Sequence, residues 1–179
     1  MSQKLRADFN NYRRLDMLVP SFAAQVEQLL KNCLARGFEM VPYETVIGPA
    51  REAMLYQHSR DWRTIERVQQ EMSDKGAPRL ARMFRPEWAL AAAWKSNALP
   101  GRSWHSRGLA VDCFWRVNNR AAWSGQGYEV YAEEARKLGL TAGHYWRVRD
   151  SVHVQQPTAG GPTEPWSEVE RLMDQRFLI

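Results

Sequence analysis

No apolar run in this chain approaches the ~20 residues that a membrane-spanning helix needs. The stretch from Met1 to Leu15 is polar and charged and lacks the apolar centre of a secretory signal, so none is expected. Cysteine is scarce. Cys33 and Cys113 are too few for a disulfide framework, and both are expected to be reduced and buried. Internal repeats and low-complexity tracts are absent. So is any dense run of basic residues, although the net charge is +5 at pH 7. That excess suits a polyanionic partner, nucleic acid or an anionic wall polymer, without choosing between them.

What remains has the composition of an ordinary folded protein. With 179 residues, 44% of them hydrophobic and 25% charged, the chain is expected to form one domain over 1–179, its core about 15–156. Residues up to 19 read as an arm packing against that domain. Pro20 can open a helix in which Phe22, Val26, Leu29, Leu30, Cys33 and Leu34 recur at helical spacing, with Gly37 as its stop. Phe38 to Ile47 alternates imperfectly and reads as a strand, with Pro42 marking an edge or bend. Helices are expected over Ala50–Tyr56, through Trp62, Ile65, Val68 and Met72, and from Pro86 to Lys95. Leu109 to Trp115 reads as a buried strand, and a loop follows over 118–127. Tyr128, Tyr131, Ala135 and Leu138 mark another helix, and a loop and strand run from Thr141 to Gln155. A linker at 157–165 leads to a last helix at 166–176. Helices around a few strands, without regular β-α-β alternation, predict an α+β fold.

The chemistry concentrates in Ser103-Trp104-His105-Ser106-Arg107-Gly108-Leu109-Ala110-Val111-Asp112. An imidazole in a polar, glycine-containing turn is followed, at the end of an apolar run, by a carboxylate. A carboxylate inside such a strand is costly unless something positive neutralises it. A divalent metal shared with His105 would do so, and Zn²⁺ takes both imidazole nitrogen and carboxylate oxygen. Asp150-Ser151-Val152-His153 supplies what is still lacking. A catalytic zinc has three protein ligands and one open position, and His105, Asp112 and His153 would be those three. Asp150 is then placed to act as general base. His144 as a fourth ligand would close the open position, and His58 reads as surface. Of the tryptophans near these motifs (Trp94, Trp104, Trp115, Trp146), most read as core, with Trp104 or Trp146 walling the cleft.

The two clusters resemble the metal motifs of the zinc peptidases that cut peptidoglycan stem peptides. The first matches S-x-H-x-x-G-x-A-x-D, extended upstream by Ala98, Pro100 and Gly101. The second is an acidic residue three before the last histidine, behind Gly143, Tyr145 and Trp146. That family comprises D-alanyl-D-alanine carboxypeptidases and dipeptidases together with L-alanyl-D-glutamate endopeptidases, many of the latter being phage endolysins. The resemblance covers roughly residues 15–156 and is strongest over 98–115. It implies a hedgehog/DD-peptidase-like fold, with a small antiparallel sheet carrying the zinc site and helices packed around it.

As for activity, the resemblance implies a zinc metallopeptidase acting on the peptidoglycan stem peptide, with Zn²⁺ on His105, Asp112 and His153. An aspartate as base, Asp150, looks more like the L-alanyl-D-glutamate endopeptidase branch. D-Ala-D-Ala carboxypeptidase is the second reading, and a non-catalytic wall-binding relative the third. A nucleic-acid-binding domain rests on charge and aromatics alone. Arg51, Ser103 and Trp146 are the expected substrate contacts. Two departures stand out. Val152 occupies a place where that branch has proline, and the arginine expected ahead of Leu55-Tyr56 would align near Ile47, with Arg51 as its replacement. The implied setting is a monomer with no nucleic-acid or membrane partner. Without a signal peptide it would be an endolysin released from the host cytoplasm by a holin, or part of a phage particle.

Overall fold

A computed structural model of the chain describes residues 4–7, 13–89, 96–157 and 163–179. Ahead of the first motif come β1 (Leu5–Arg6), α1 (Pro20–Ala35), β2 (Glu39–Glu44), α2 (Pro49–Gln57), α3 (Trp62–Asp74) and α4 (Pro78–Ala81). After it come β3 (Ala110–Val117), β4 (Arg120–Ala122), α5 (Gly127–Lys137) and β5 (Thr141–Ala142). The chain continues with β6 (His153–Gln155), α6 (Trp166–Arg176) and β7 (Phe177–Leu178). The architecture is α+β, and its main sheet is antiparallel throughout, with strand order β2-β3-β6-β5 and β4 paired to β3. No helix among the described residues is long and apolar enough to cross a membrane. The residues cluster into two compact units, one from positions 1–10, 47–106 and 160–179, the other from 11–46 and 107–159.

The second unit is organised on β3. Successive strand side chains leave opposite faces of the sheet. Val111 and Cys113 are fully buried, whereas Asp112 between them is half-buried and belongs to the other face. The buried side joins the apolar stripe of α1 (Phe22, Val26, Leu29, Cys33) and that of α5 (Tyr128, Tyr131, Ala135). Arg36 ties the two helices together, donating to Glu133 Oε2 at 2.8 Å and Glu134 Oε1 at 2.9 Å. β2 is the sheet's edge, where the missing N–H of Pro42 is tolerated. Its register shifts between Pro42 and Glu44, leaving Tyr43 as an extra residue against β3. The expected loop at 118–127 contains a strand: Asn118 and Asn119, with φ of 48° and 60°, make the two-residue turn that returns β4 onto β3. Both cysteines are free and buried, as expected.

In the first unit, Asp61 Oδ1 accepts the Thr64 N–H at 3.0 Å and caps α3, which buries Ile65 and Met72. β1 and β7 pair in parallel, Leu5 with Phe177 and Arg6 with Leu178. Glu170 of α6 is buried. Its Oε2 accepts the Arg79 N–H at 2.7 Å and the Leu80 N–H at 3.0 Å, and its Oε1 accepts Arg79 Nε at 3.1 Å. A carboxylate there satisfies the open N–H groups of the α4 start and complements its dipole. The expected Pro86–Lys95 helix is not formed in its described part. Pro86–Trp88 is one 3-10 turn and Ala89 is already extended, with ψ of 137°. A lone turn fixes several dihedrals for a single hydrogen bond, so good helix formers alone do not extend it. Residues 90–95, including Trp94, and 158–162 of the expected linker lie outside the described residues.

Glu170→Ala should lower the unfolding free energy by about 1–3 kcal/mol, because two amides lose a buried acceptor. Glu170→Gln should lose less, since its carbonyl oxygen can stand in for Oε2, which accepts both amides. Urea melts of the two variants check this, and equal losses would remove the capping role.

Candidate metal centre

The antiparallel register of β3 and β6 sets Asp112 directly opposite His153. Residues so paired share a face, with Cβ atoms about 4.5–5.5 Å apart. Their side chains meet, His153 Nδ1 lying 3.0 Å from Asp112 Oδ1. Gln155 leaves β6 on the same face as His153, and its Oε1 lies 2.9 Å from His153 Nε2. A glutamine carbonyl can only accept, so with Oε1 towards the ring it suits the Nε2–H tautomer, with Nδ1 towards the carboxylate. Both ring nitrogens thus face oxygen acceptors. The gap between Nδ1 and Asp112 must therefore be bridged by a proton or by a metal cation.

His105 is held by the loop that precedes β3. Gly101 has φ of +76°, and a Cβ there would stand 2.7 Å from Val169 Cγ1 and 2.9 Å from Met173 Cγ, so the position admits glycine alone. The Gly101 N–H donates to Glu52 Oε2 at 2.5 Å. Ser103 Oγ accepts the His105 N–H at 3.2 Å, and Ser106 Oγ donates to the Ser103 carbonyl at 2.9 Å. His105, Asp112 and His153 each offer one ligand atom, and these atoms all lie within 4.8 Å of one another. Two imidazole nitrogens and one carboxylate oxygen are a donor set that suits zinc.

The remaining expected residues take distinct places. Asp150 is exposed on the turn before β6. Its N–H donates to the Gly143 carbonyl at 3.0 Å, and its own carbonyl accepts the His153 N–H at 3.3 Å. A Cβ on Gly143 would come within 2.4 Å of that Asp150 carbonyl, so this turn too needs glycine. The Trp146 ring lies 5.1 Å from the His153 ring and is 40% exposed. Ser103 steadies the His105 loop. Arg51 is half-buried on α2, its Nη1 3.6 Å from Met54 Sδ. His144, considered as a fourth ligand, has its Nδ1 3.0 Å from Ser151 Oγ.

Two residues of this neighbourhood are not apparent from the sequence motifs. Gln155 carries a signal only in hindsight, sitting two strand positions after His153. Glu52 carries one in the pattern of α2, where Pro49, Glu52, Ala53 and Gln57 share the buried face at helical spacing. The Glu52 side chain is 2% exposed. Burial pushes its carboxyl up to about 8, against the opposing pull of the Gly101 N–H, the Ser106 hydroxyl, His105 and the Ser103 hydroxyl.

Among solved structures, the chain is similar to the crystal structure of the Serratia marcescens L-Ala D-Glu endopeptidase ChiX. That match has 18% identity and a TM-score of 0.44, covering 80% of this chain and 83% of that one. It is also similar to the LdcB LD-carboxypeptidase, at 12% identity and a TM-score of 0.45, over 97% of this chain and 71% of that one. No family model matches, and no curated protein does. Likeness at this level transfers no residue, so function has to rest on the side chains of this chain.

A carboxyl raised on folding holds its proton more tightly in the folded state. Its contribution is therefore full below the ordinary value of 4.5 and is lost as pH rises through about 8. Metal-free protein should lose stability across that window, with a limiting slope of about 1.4 kcal/mol per pH unit, and Glu52→Gln should flatten the curve. Chemical denaturation at a series of pH values measures it. An unchanged slope in the variant would place the titrating group elsewhere.

Proposed function

We propose that the chain is a zinc-dependent peptidoglycan peptidase that hydrolyses an amide of the stem peptide, the L-alanyl-D-glutamate bond. The observation that supports this reading is the grouping of the His105, Asp112 and His153 ligand atoms, with the carboxylate of Asp150 on the turn that leads into His153. Bound there, zinc would supply Lewis-acid polarisation of the scissile carbonyl and make water acidic enough to attack at neutral pH. The chain's own residues do the rest. Gln155 holds the His153 tautomer, and Asp112 neutralises part of the added charge. Asp150 takes the proton of the attacking water and later delivers it to the leaving amine. Its exposure suits a base that has to exchange that proton with solvent. The Trp146 ring beside His153 walls one side of the substrate path, and Ser103 and Arg51 are the polar contacts proposed for the peptide.

Purified peptidoglycan incubated with the protein should release new amino termini at D-glutamate, detected by mass spectrometry, and a chelator should stop the release. Release of free D-alanine instead would assign the D-Ala-D-Ala bond. No release from metal-loaded protein would overturn the peptidase reading and leave a wall-binding relative.

His153→Ala should leave the protein without stoichiometric zinc, measured by elemental analysis. Asp150→Ala should keep the zinc and the fold while turnover falls by roughly 10²–10⁴-fold, the usual worth of a general acid–base. Loss of metal from Asp150→Ala would make it a ligand, and wild-type turnover would remove it from the mechanism. Gln155→Leu should weaken zinc binding by about 10–100-fold through the freed imidazole.

A further inference from the structure

β3 carries more than Asp112 on its outward face. Phe114 and Arg116 follow at alternate positions and so leave the sheet from the same side. Together with Arg13, Tyr43, Asn119, Ala121 and Trp123 they line a groove of about 490 Å³. Two of its three rings are presented and not packed away, and Phe114 floors it from the core. Trp123 is 54% exposed and Tyr43 39% exposed; they meet edge to face at 5.1 Å, and Trp123 lies 5.9 Å from the Phe114 ring. Surface aromatics gathered in one hollow are uncommon without a partner. The β2 irregularity contributes directly, since Tyr43 is the extra residue that the register shift leaves unpaired.

The polar part of the groove narrows the ligand. Arg116 Nη1 is 2.9 Å from Glu39 Oε1, and Arg13 sits over the Phe114 ring at 5.8 Å. By register, Glu39 stands opposite Arg116 and Glu44 opposite Asp112 on this same face. The Arg116 charge is thus partly neutralised by Glu39, a poorer setting for a polyphosphate backbone than two unpaired cations. It favours a neutral ligand with an apolar face for the rings and hydroxyl and amide groups for Arg116, Glu39 and Asn119. A pyranose has that character.

We propose that this groove is a saccharide subsite that holds the glycan end of the substrate. The claim about the substrate rests on the peptidase reading above; the claim of saccharide binding does not. Two residues of strand separate Asp112 from Phe114, about 7 Å. In peptidoglycan, L-alanine is joined directly to the lactyl group of the sugar. One extended residue of about 3.5 Å and a short ether therefore separate the scissile L-alanyl carbonyl from the ring. A bond at the far end of the stem would lie several residues further away. The groove is thus placed to read the glycan only if the bond cut is the one nearest to it.

The test has two arms. In the first, chelated wild-type protein is titrated with N,N′-diacetylchitobiose while the indole N–H resonances are followed by NMR. Trp123 should shift, and Trp123→Phe identifies its peak. A short single-stranded oligodeoxynucleotide runs in parallel. No shift with the sugar, or a shift with the oligonucleotide alone, overturns the saccharide assignment. In the second arm, KM is compared for a disaccharide tetrapeptide and for the same tetrapeptide without sugar. Wild type should favour the sugar-bearing substrate by at least tenfold, and Trp123→Ala and Tyr43→Ala should each erase that preference. Equal KM values for the two substrates in wild type overturn the subsite. Should the protein hydrolyse neither substrate, the peptidase reading fails while the first arm still decides on the sugar.

Discussion

The pairing of β3 with β6 in one register is the constraint on which the rest depends. A shift of one residue would turn Asp112 or His153 to the opposite face of the sheet and replace it there with an apolar neighbour. The register is enforced from behind. Val111, Cys113 and Val154 are buried without measurable exposure, so a slipped strand would drive Asp112 into the α1 and α5 packing. The position of the polar pair is therefore a by-product of apolar packing on the other side, which supplies far more free energy than the pair itself. Glu44 takes its place opposite Asp112, and Glu39 its place opposite Arg116, from the separate β2–β3 register.

Much of this is legible in the order of residues alone. The apolar triplet ahead of Asp112 identifies a strand, and the glycine and polar residues around His105 identify a turn. The apolar repeats of α1, α3, α5 and α6 mark helices close to their observed limits. Pro42 announces the sheet edge. Cross-strand contact is what the order of residues hides. Nothing local tells that Gln155 reaches His153 Nε2, because the contact needs β6 to exist and its side chains to point one way. Glu52 is harder still. Its burial is set by a loop some fifty residues later in the chain, and a glutamate in the first turn of a helix ordinarily faces water. β4 gives little warning although Asn118-Asn119 is a turn signal; the strand behind it is three residues long and carries no apolar alternation.

The failure at Pro86 has a different origin. Proline at a first turn and an alanine-rich continuation are favourable local terms, but local propensity amounts to tenths of a kilocalorie per residue. It does not carry the helix past Trp88, where Ala89 is already extended. α4 makes the converse point. Four residues are too few to be helical alone, and the carboxylate of Glu170, contributed by a helix some ninety residues away, is what holds its amides.

Cys113 follows Asp112 immediately, yet the pleat sends its sulfur to the far side of the sheet, into the core. Burial raises its thiol well above the ordinary range, and the Cys33 thiol is likewise pushed up to about 12. Zinc prefers thiolate to carboxylate where it can have it, and oxidants attack thiolate in preference to thiol. Neither sulfur offers that anion. The two cysteines should thus be poor targets for oxidants as long as the chain stays folded, so reducing and oxidising surroundings leave them alike.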